Sequence, residues 1–145
     1  MKRHPSLVPL ARQHHGALLL AQMLKLSAPD YKGMPTDAES KTQYALEFFK
    51  NDLLPHFAAE EKVFEQMKGI DAELDQALLE VTEEHMVLRD LFHGLPDHAA
   101  DSNYQDKIGQ MLEKHVRRED RELFPLMESL ADEATMASIA AILHD

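Results

Sequence analysis

Apolar residues recur at steps of three and four along almost the whole 145-residue chain, and no stretch of alternating polar and apolar residues competes with this pattern. Such spacing places apolar side chains along one face of an α-helix. Hydrophobic residues make up 44% of the chain and charged residues 28%, as in a folded domain. The sequence therefore predicts an all-α fold in one domain over residues 1–145.

Capping residues, prolines and glycines divide this pattern into four long helices and a short fifth one. The predicted helices run from 6–9 to about 28, from 36–37 to about 68, from 71 to 93, from about 102 to 125–130, and from 132 to 143. Pro55 should kink the second helix, and Gly94 should end the third. Short connections between long helices favour an up-down-up-down antiparallel four-helix bundle with a short C-terminal fifth helix.

Each long predicted helix carries one histidine in the middle of its apolar stripe: His14, His56, His85 and His115. Glutamates follow two of them at a distance of four residues, giving the pairs His56–Glu60 and His115–Glu119. Residues four apart lie about 6 Å from each other along the same helix face. An imidazole and a carboxylate from one helix can therefore reach the same metal ion.

Four imidazoles and two carboxylates suit a borderline transition metal, and two bridging carboxylates suit a pair of ions. A single histidine on an apolar stripe is more often a hydrogen-bonded core residue, and a single glutamate there more often reaches water. The same arrangement on four helices at matching depth favours the metal site. Coordination would also remove the cost of burying two unpartnered carboxylates.

The other histidines are expected to be exposed, since they lie at the termini or beside the loop after the third helix: His4, His93, His98 and His144. His15 is the alternative to His14 as the ligand on the first helix, but its helical register contains fewer apolar residues. Glu122, about one turn past Glu119, remains a further candidate ligand.

Composition excludes several classes of function. The formal net charge of −11 disfavours binding to nucleic acid. The absence of cysteine excludes thiolate zinc sites and iron–sulfur clusters, and it is compatible with the cytoplasmic location that we expect. The apolar stretch near the N-terminus is too short for a membrane span, so no membrane association is expected.

The sequence resembles the hemerythrin-like, or HHE cation-binding, family over residues 10–126. The resemblance rests on an ordered set of short elements: Leu10-Ala11-Arg12-Gln13-His14, Leu54-Pro55-His56, Glu60-Glu61, Phe64, Glu84-His85, His115, Glu119-Asp120 and Leu123-Phe124-Pro125. It implies two non-haem iron ions with an oxo or hydroxo bridge, bridged also by Glu60 and Glu119, with the four histidines as terminal ligands. Roles in that family include oxygen binding, oxygen or redox sensing, iron handling and repair of nitrosative damage.

One position departs from the oxygen-carrying members of that family, which have a second histidine one turn after the ligand on the third helix. Here that residue is Arg89. An arginine stays protonated and cannot coordinate a metal. The expected set is therefore two histidines per metal, nearer to the family's sensor and repair members. Arg89 is expected to face a bound anion, to pair with an acidic neighbour on the surface, or to extend along the surface with no role in the site.

Two rival metal sites find no support in the sequence. Ferritin-like di-iron proteins use Glu-x-x-His pairs, but the residues three before the four histidines are Ala11, Leu53, Thr82 and Leu112. The H-E-x-x-H motif of zinc hydrolases is absent as well. The leading hypothesis is a di-iron protein that binds or senses oxygen, nitric oxide, peroxide or a related redox species. The alternatives are an iron-dependent oxidase, peroxidase or nitrosative-damage repair factor, or an iron reservoir.

Overall fold

A computed structural model describes residues 2–144, and within them all regular structure is helical. The α-helices are α1 (Val8–Leu24), α2 (Ala38–Phe48), α3 (Leu54–Met67), α4 (Ala72–Gly94), α5 (Ser102–Arg118), α6 (Phe124–Leu130) and α7 (Glu133–Leu143). Two π-helical segments, Phe49–Leu53 and Glu119–Leu123, join α2 to α3 and α5 to α6. The molecule is therefore a bundle of four long rods, α1, α2–α3, α4 and α5–α6, followed by the short α7, which confirms the predicted fold class.

Contacts between the rods show that neighbours run antiparallel. On α1 and α5–α6, the ammonium of Lys25 binds Glu113, whereas Arg3, just before α1, binds Glu128 on α6. On α4 and α5, the hydroxyl of Tyr104 donates to the carbonyl of Leu91 near one end. Near the opposite end of this pair, Arg118 at the end of α5 binds Glu80 and Glu84 on α4.

Aspartates cap the N-termini of four of the helices. The carboxylates of Asp37, Asp71, Asp101 and Asp132 accept hydrogen bonds from backbone N–H groups in the first turns of α2, α4, α5 and α7. Gly69, with φ +85°, follows the end of α3 in the left-handed conformation that a glycine adopts without strain.

One predicted helix end is wrong, and another has the expected position but a different conformation. The first helix stops at Leu24 and not near residue 28, because Lys25 turns to an extended conformation and the N–H of Leu26 binds the carboxylate of Asp106. The third helix includes Gly94, which has φ −79°, and continues into the 3-10 turn Leu95–His98. Gly94 therefore does not end this helix in a left-handed conformation.

Both π-helical segments lie just before a proline. The N–H of Leu54 donates to the carbonyl of Phe49, and the N–H of Phe124 donates to the carbonyl of Glu119, one residue further back than in an α-helix. Pro55 and Pro125 follow at once, and their rings would clash with the preceding turn of a regular α-helix. The rod continues through Pro55 as expected, but neither π-helical segment was predicted.

The apolar core is divided into two clusters by the polar residues at mid-height. One cluster is centred on Leu20, Phe49 and Phe92, and the other on Leu10, Phe64 and Phe124. The six predicted ligands are buried where these clusters meet, and each is at most 5% exposed. In the described part of the chain no helix combines the length and the apolar character needed to cross a membrane.

Candidate metal centre

Four helical rods bring the six predicted ligand residues together. Two groups of side chains place their ligand atoms within 4.8 Å of one another: His14, His56, Glu60 and Glu119 in one group, and Glu60, His85, His115 and Glu119 in the other. Both carboxylates belong to both groups. The structure therefore has two adjacent metal-sized positions that share Glu60 and Glu119.

The distances show how each carboxylate connects the two groups. Glu60 Oε1 lies 3.3 Å from Nε2 of His56 and 3.0 Å from Nε2 of His85. Glu119 Oε1 lies 3.0 Å from Nε2 of His14 and 3.5 Å from Nε2 of His115. Each carboxylate thus faces one histidine of either group, the placement expected of a bridging ligand.

These atoms lack hydrogen-bond partners within the protein. Among the described residues, the buried side-chain atoms without a partner are Nε2 of His14, His85 and His115 and both carboxylate oxygens of Glu60 and Glu119. Each buried, unsatisfied polar atom costs about 1–3 kcal/mol. Without protons or cations between them, seven such atoms in one place would consume much of the roughly 5–15 kcal/mol that stabilises a typical domain. Cations at the centre would satisfy all of them, so the residues fit the metal pair that the sequence predicted.

The second nitrogen of each imidazole is held from outside the centre. Every Nδ1 lies within hydrogen-bond distance of an acceptor on another rod: His56 with Gln13 at 2.5 Å, His85 with Glu61 at 2.7 Å, His115 with Glu84 at 2.7 Å, and His14 with Asp120 at 2.8 Å. Amide and carboxylate oxygens only accept hydrogen bonds, so each Nδ1 donates. Each Nε2 is then the nitrogen directed at the metal positions.

These outer partners form a closed ring around the bundle. α1 holds the histidine of α3, α3 holds that of α4, α4 holds that of α5, and the segment after α5 holds that of α1. Sequence analysis did not assign roles to Gln13, Glu61, Glu84 and Asp120. A signal was available, because each of the four is the immediate neighbour of a predicted ligand, and a step of one residue turns about 100° around a helix. Such a residue faces the next rod when its neighbour faces the core.

Aromatic rings pack directly against the imidazoles. Phe57 stacks on His85 with ring centroids 4.2 Å apart, and its ring also contacts the edge of His115 at 5.9 Å. Phe124 stacks on His14 at 5.5 Å. These rings exclude water from the centre and fix the planes of the imidazoles.

In the protein without bound metal, protonated histidines supply part of the positive charge that metal cations would otherwise provide. Burial lowers the pKa of His14, but contacts with Asp120, Glu119 and Glu60 outweigh this effect and raise it to about 12. Burial likewise lowers the pKa of His85, and its neighbouring carboxylates raise it to about 11. Burial raises the pKa of Glu60, but the surrounding histidines hold it well below its usual range. The centre therefore favours positive charge.

Three other candidates from the sequence lie outside the centre. His15 is exposed, whereas its neighbour His14 lies within the cluster. Glu122, which was considered as an additional ligand, is exposed because the π-helical segment places Leu123 in the core instead. Arg89 binds Glu61 at 3.0 Å and is not among the side chains of either group. Arg89 therefore pairs with an acidic neighbour, which was one of the expectations from the sequence.

The remaining histidines agree with the sequence analysis except for one. His93, His98 and His144 are exposed, as predicted. His4 is half-buried, because its Nδ1 accepts the N–H of Ser6 and its own N–H binds Glu128. None of these four belongs to a metal-sized group among the described residues.

The family model of the hemerythrin HHE cation-binding domain matches residues 8–127, which is well over half of the chain. The chain belongs to this family. All six residues of the centre lie within the matched range. Searches of curated proteins and of solved structures find no match. The hemerythrin-like assignment indicates cation binding, and the two His/Glu groups are where this chain could hold the ions.

Proposed function

We propose that this hemerythrin-like protein holds two iron ions and binds or senses a small molecule such as oxygen, nitric oxide or peroxide. The observation that carries the proposal is the sharing of Glu60 and Glu119 by the two His/Glu groups. Mixed nitrogen and oxygen ligands suit iron. When bound, such a pair supplies redox-active Lewis-acid positions for a small ligand.

In this proposal His14 and His56 hold one ion, His85 and His115 hold the other, and the two glutamates bridge them. The outer acceptors fix the orientation of the imidazoles, so the ligand nitrogens are aligned before an ion binds. Phe57 and Phe124 keep the surroundings apolar. Their close packing against the histidines supports a site that admits small molecules and excludes larger ones.

The burial of the centre supports a small ligand rather than a larger organic substrate. The four histidines are 0–5% exposed and both glutamates are 0% exposed. A diatomic molecule or peroxide can enter such a site through small fluctuations, whereas a larger substrate would need the rods to separate. Binding or sensing is therefore favoured over oxidation of an organic substrate.

The test is to load the protein with ferrous iron under anaerobic conditions, measure the iron content, and then add oxygen or nitric oxide. Two iron ions per chain are expected, together with an absorption change that reverses when the gas is removed. Continuous consumption of oxygen in the presence of a reductant would instead indicate an oxidase. A metal content below one ion per chain would contradict the proposal. The His56→Ala/His115→Ala double variant is the control that should not bind the pair.

A further inference from the structure

Gln13 differs from the other outer partners of the four histidines. Its amide oxygen lies 2.5 Å from Nδ1 of His56, whereas carboxylates hold the other three rings. A carboxylate carries a full negative charge that strengthens the imidazole as an electron donor to a metal. A neutral amide orients the ring without supplying that charge. His56 should therefore be the weakest of the four nitrogen donors.

The outer partners on the opposite side of the centre are also held more firmly. Arg89 binds Glu61 at 3.0 Å, and Arg118 binds Glu84 at 2.8 Å. Each of these arginines therefore fixes the carboxylate that holds His85 or His115. Gln13 is exposed. Its side chain loses more rotamer freedom when it holds His56, which weakens the support that it gives.

A pocket of about 320 Å³ lies against this same side of the centre. Its lining includes Arg12, Gln13, His15, Pro55 and His56. His56 is 5% exposed and is the most exposed of the four histidines. Water and small solutes in this pocket can compete with the protein for an ion beside His56. The amide and the pocket are independent observations, and both point to the same position.

We propose that the two metal positions are unequal, and that Gln13 is the positioning residue that makes them so. The position at His14 and His56 binds its ion more weakly and exchanges it through the pocket, while the position at His85 and His115 retains its ion. This inference rests on the proposed function, in which both groups hold metal. The ion held by His14 and His56 is then the one that exchanges with the solution.

Titration of the metal-free protein with cobalt(II), followed by calorimetry and visible absorption, tests the inference. We expect two binding steps whose affinities differ by about 10-fold or more. Gln13→Glu should tighten the weaker step by about 10-fold and shift the absorption of the second cobalt ion only. Gln43→Glu is the matched control, because it makes the same change of charge on the exposed face of α2. It should alter neither step.

Two further variants assign the steps to positions. His56→Ala should remove the weaker step and leave the tighter one, and His85→Ala should remove the tighter one.

Glu61→Gln exchanges a carboxylate for an amide beside His85 and should bring the two affinities together, which gives a second test if Gln13→Glu does not fold. Two equal steps in the wild-type protein, or an unchanged weaker step in Gln13→Glu, would overturn the inference alone. Absence of any cobalt binding would overturn the proposed function as well.

Discussion

Arg89 Nη2 lies 3.0 Å from Oε2 of Glu61, and the same carboxylate oxygen lies 2.7 Å from Nδ1 of His85. The guanidinium also lies over the ring of Phe57, 5.5 Å from its centroid. An arginine at the position where oxygen carriers of the family have a ligand histidine thus supports the neighbouring ligand from outside. Its charge acts on the centre through Glu61.

Arg89→Gln should weaken metal binding by a few-fold, less than the roughly 10-fold that loss of a direct outer partner typically costs. The reason is that Glu61 would keep its bond to His85 but lose the group that fixes it. Competition of the metal-loaded protein against a chelator measures the change. Arg117→Gln is the control, because Arg117 is 45% exposed and pairs with Glu113 on its own helix. Equal metal affinity in both variants would contradict this role.

Glu119→Ala should remove at least one of the two ions, because Glu119 contributes to both groups. Glu122→Ala should retain both ions, since Glu122 is exposed and belongs to neither group. Elemental analysis of the purified variants gives the metal content per chain. The pair is matched in chemistry and differs only in burial. Similar losses in the two variants would show that the centre does not use Glu119 as a bridge.

Removal of the metal should destabilise the fold. Within the described residues the seven buried polar atoms at the centre meet only one another, so bound ions contribute their binding free energy to folding. At a free metal concentration of about 100 Kd this amounts to about 2.7 kcal/mol for each ion, so the loss of even one ion on chelation should lower Tm by about 5–10 °C. Thermal unfolding with and without chelator measures it. In the His56→Ala/His115→Ala variant the chelator should have little effect, and an equal decrease there would contradict the assignment.

Metal affinity should rise with pH. Without metal, the pKa of His14 is about 12 and that of His85 about 11, so both rings are protonated throughout the neutral range. An ion has to displace a proton from Nε2 of each ring, and the apparent association constant should increase about 10-fold per pH unit for each proton displaced. Calorimetry between about pH 6 and pH 8, in buffers of different ionisation enthalpy, counts the protons released. An affinity independent of pH would contradict the protonated state.

The positions of the six central residues could be predicted because they depend only on the helical period. A stripe of apolar residues fixes which side of a helix faces the core, so a histidine within the stripe must face it too. The outer ring could not be predicted in the same way. Glu61 reaches His85 only because α3 and α4 pack in one particular register, and the sequence of either helix alone does not specify that register.

The fourth rod shows where periodicity fails. Steps of three and four from His115 predict a buried stripe that contains Tyr104, Met111 and Glu122. The buried residues instead include Gln105, Leu112 and Leu123. Gln105 is polar, and its amide is satisfied in the core by the carbonyl of Ala38 and the hydroxyl of Thr42. The π-helical segment then adds a residue to the turn and shifts the stripe. Pro125 was the available signal for this change of period.

Phe57 occupies space beside the centre that the backbone does not otherwise fill, between His85, His115 and the side chain of Arg89. Its ring therefore fills the volume between these side chains as well as packing against them. Replacing it with a smaller residue would leave a hollow bordering the ligand nitrogens, without altering any of them. A smaller residue at this one position would therefore widen the space around the candidate metal centre and admit larger molecules to it.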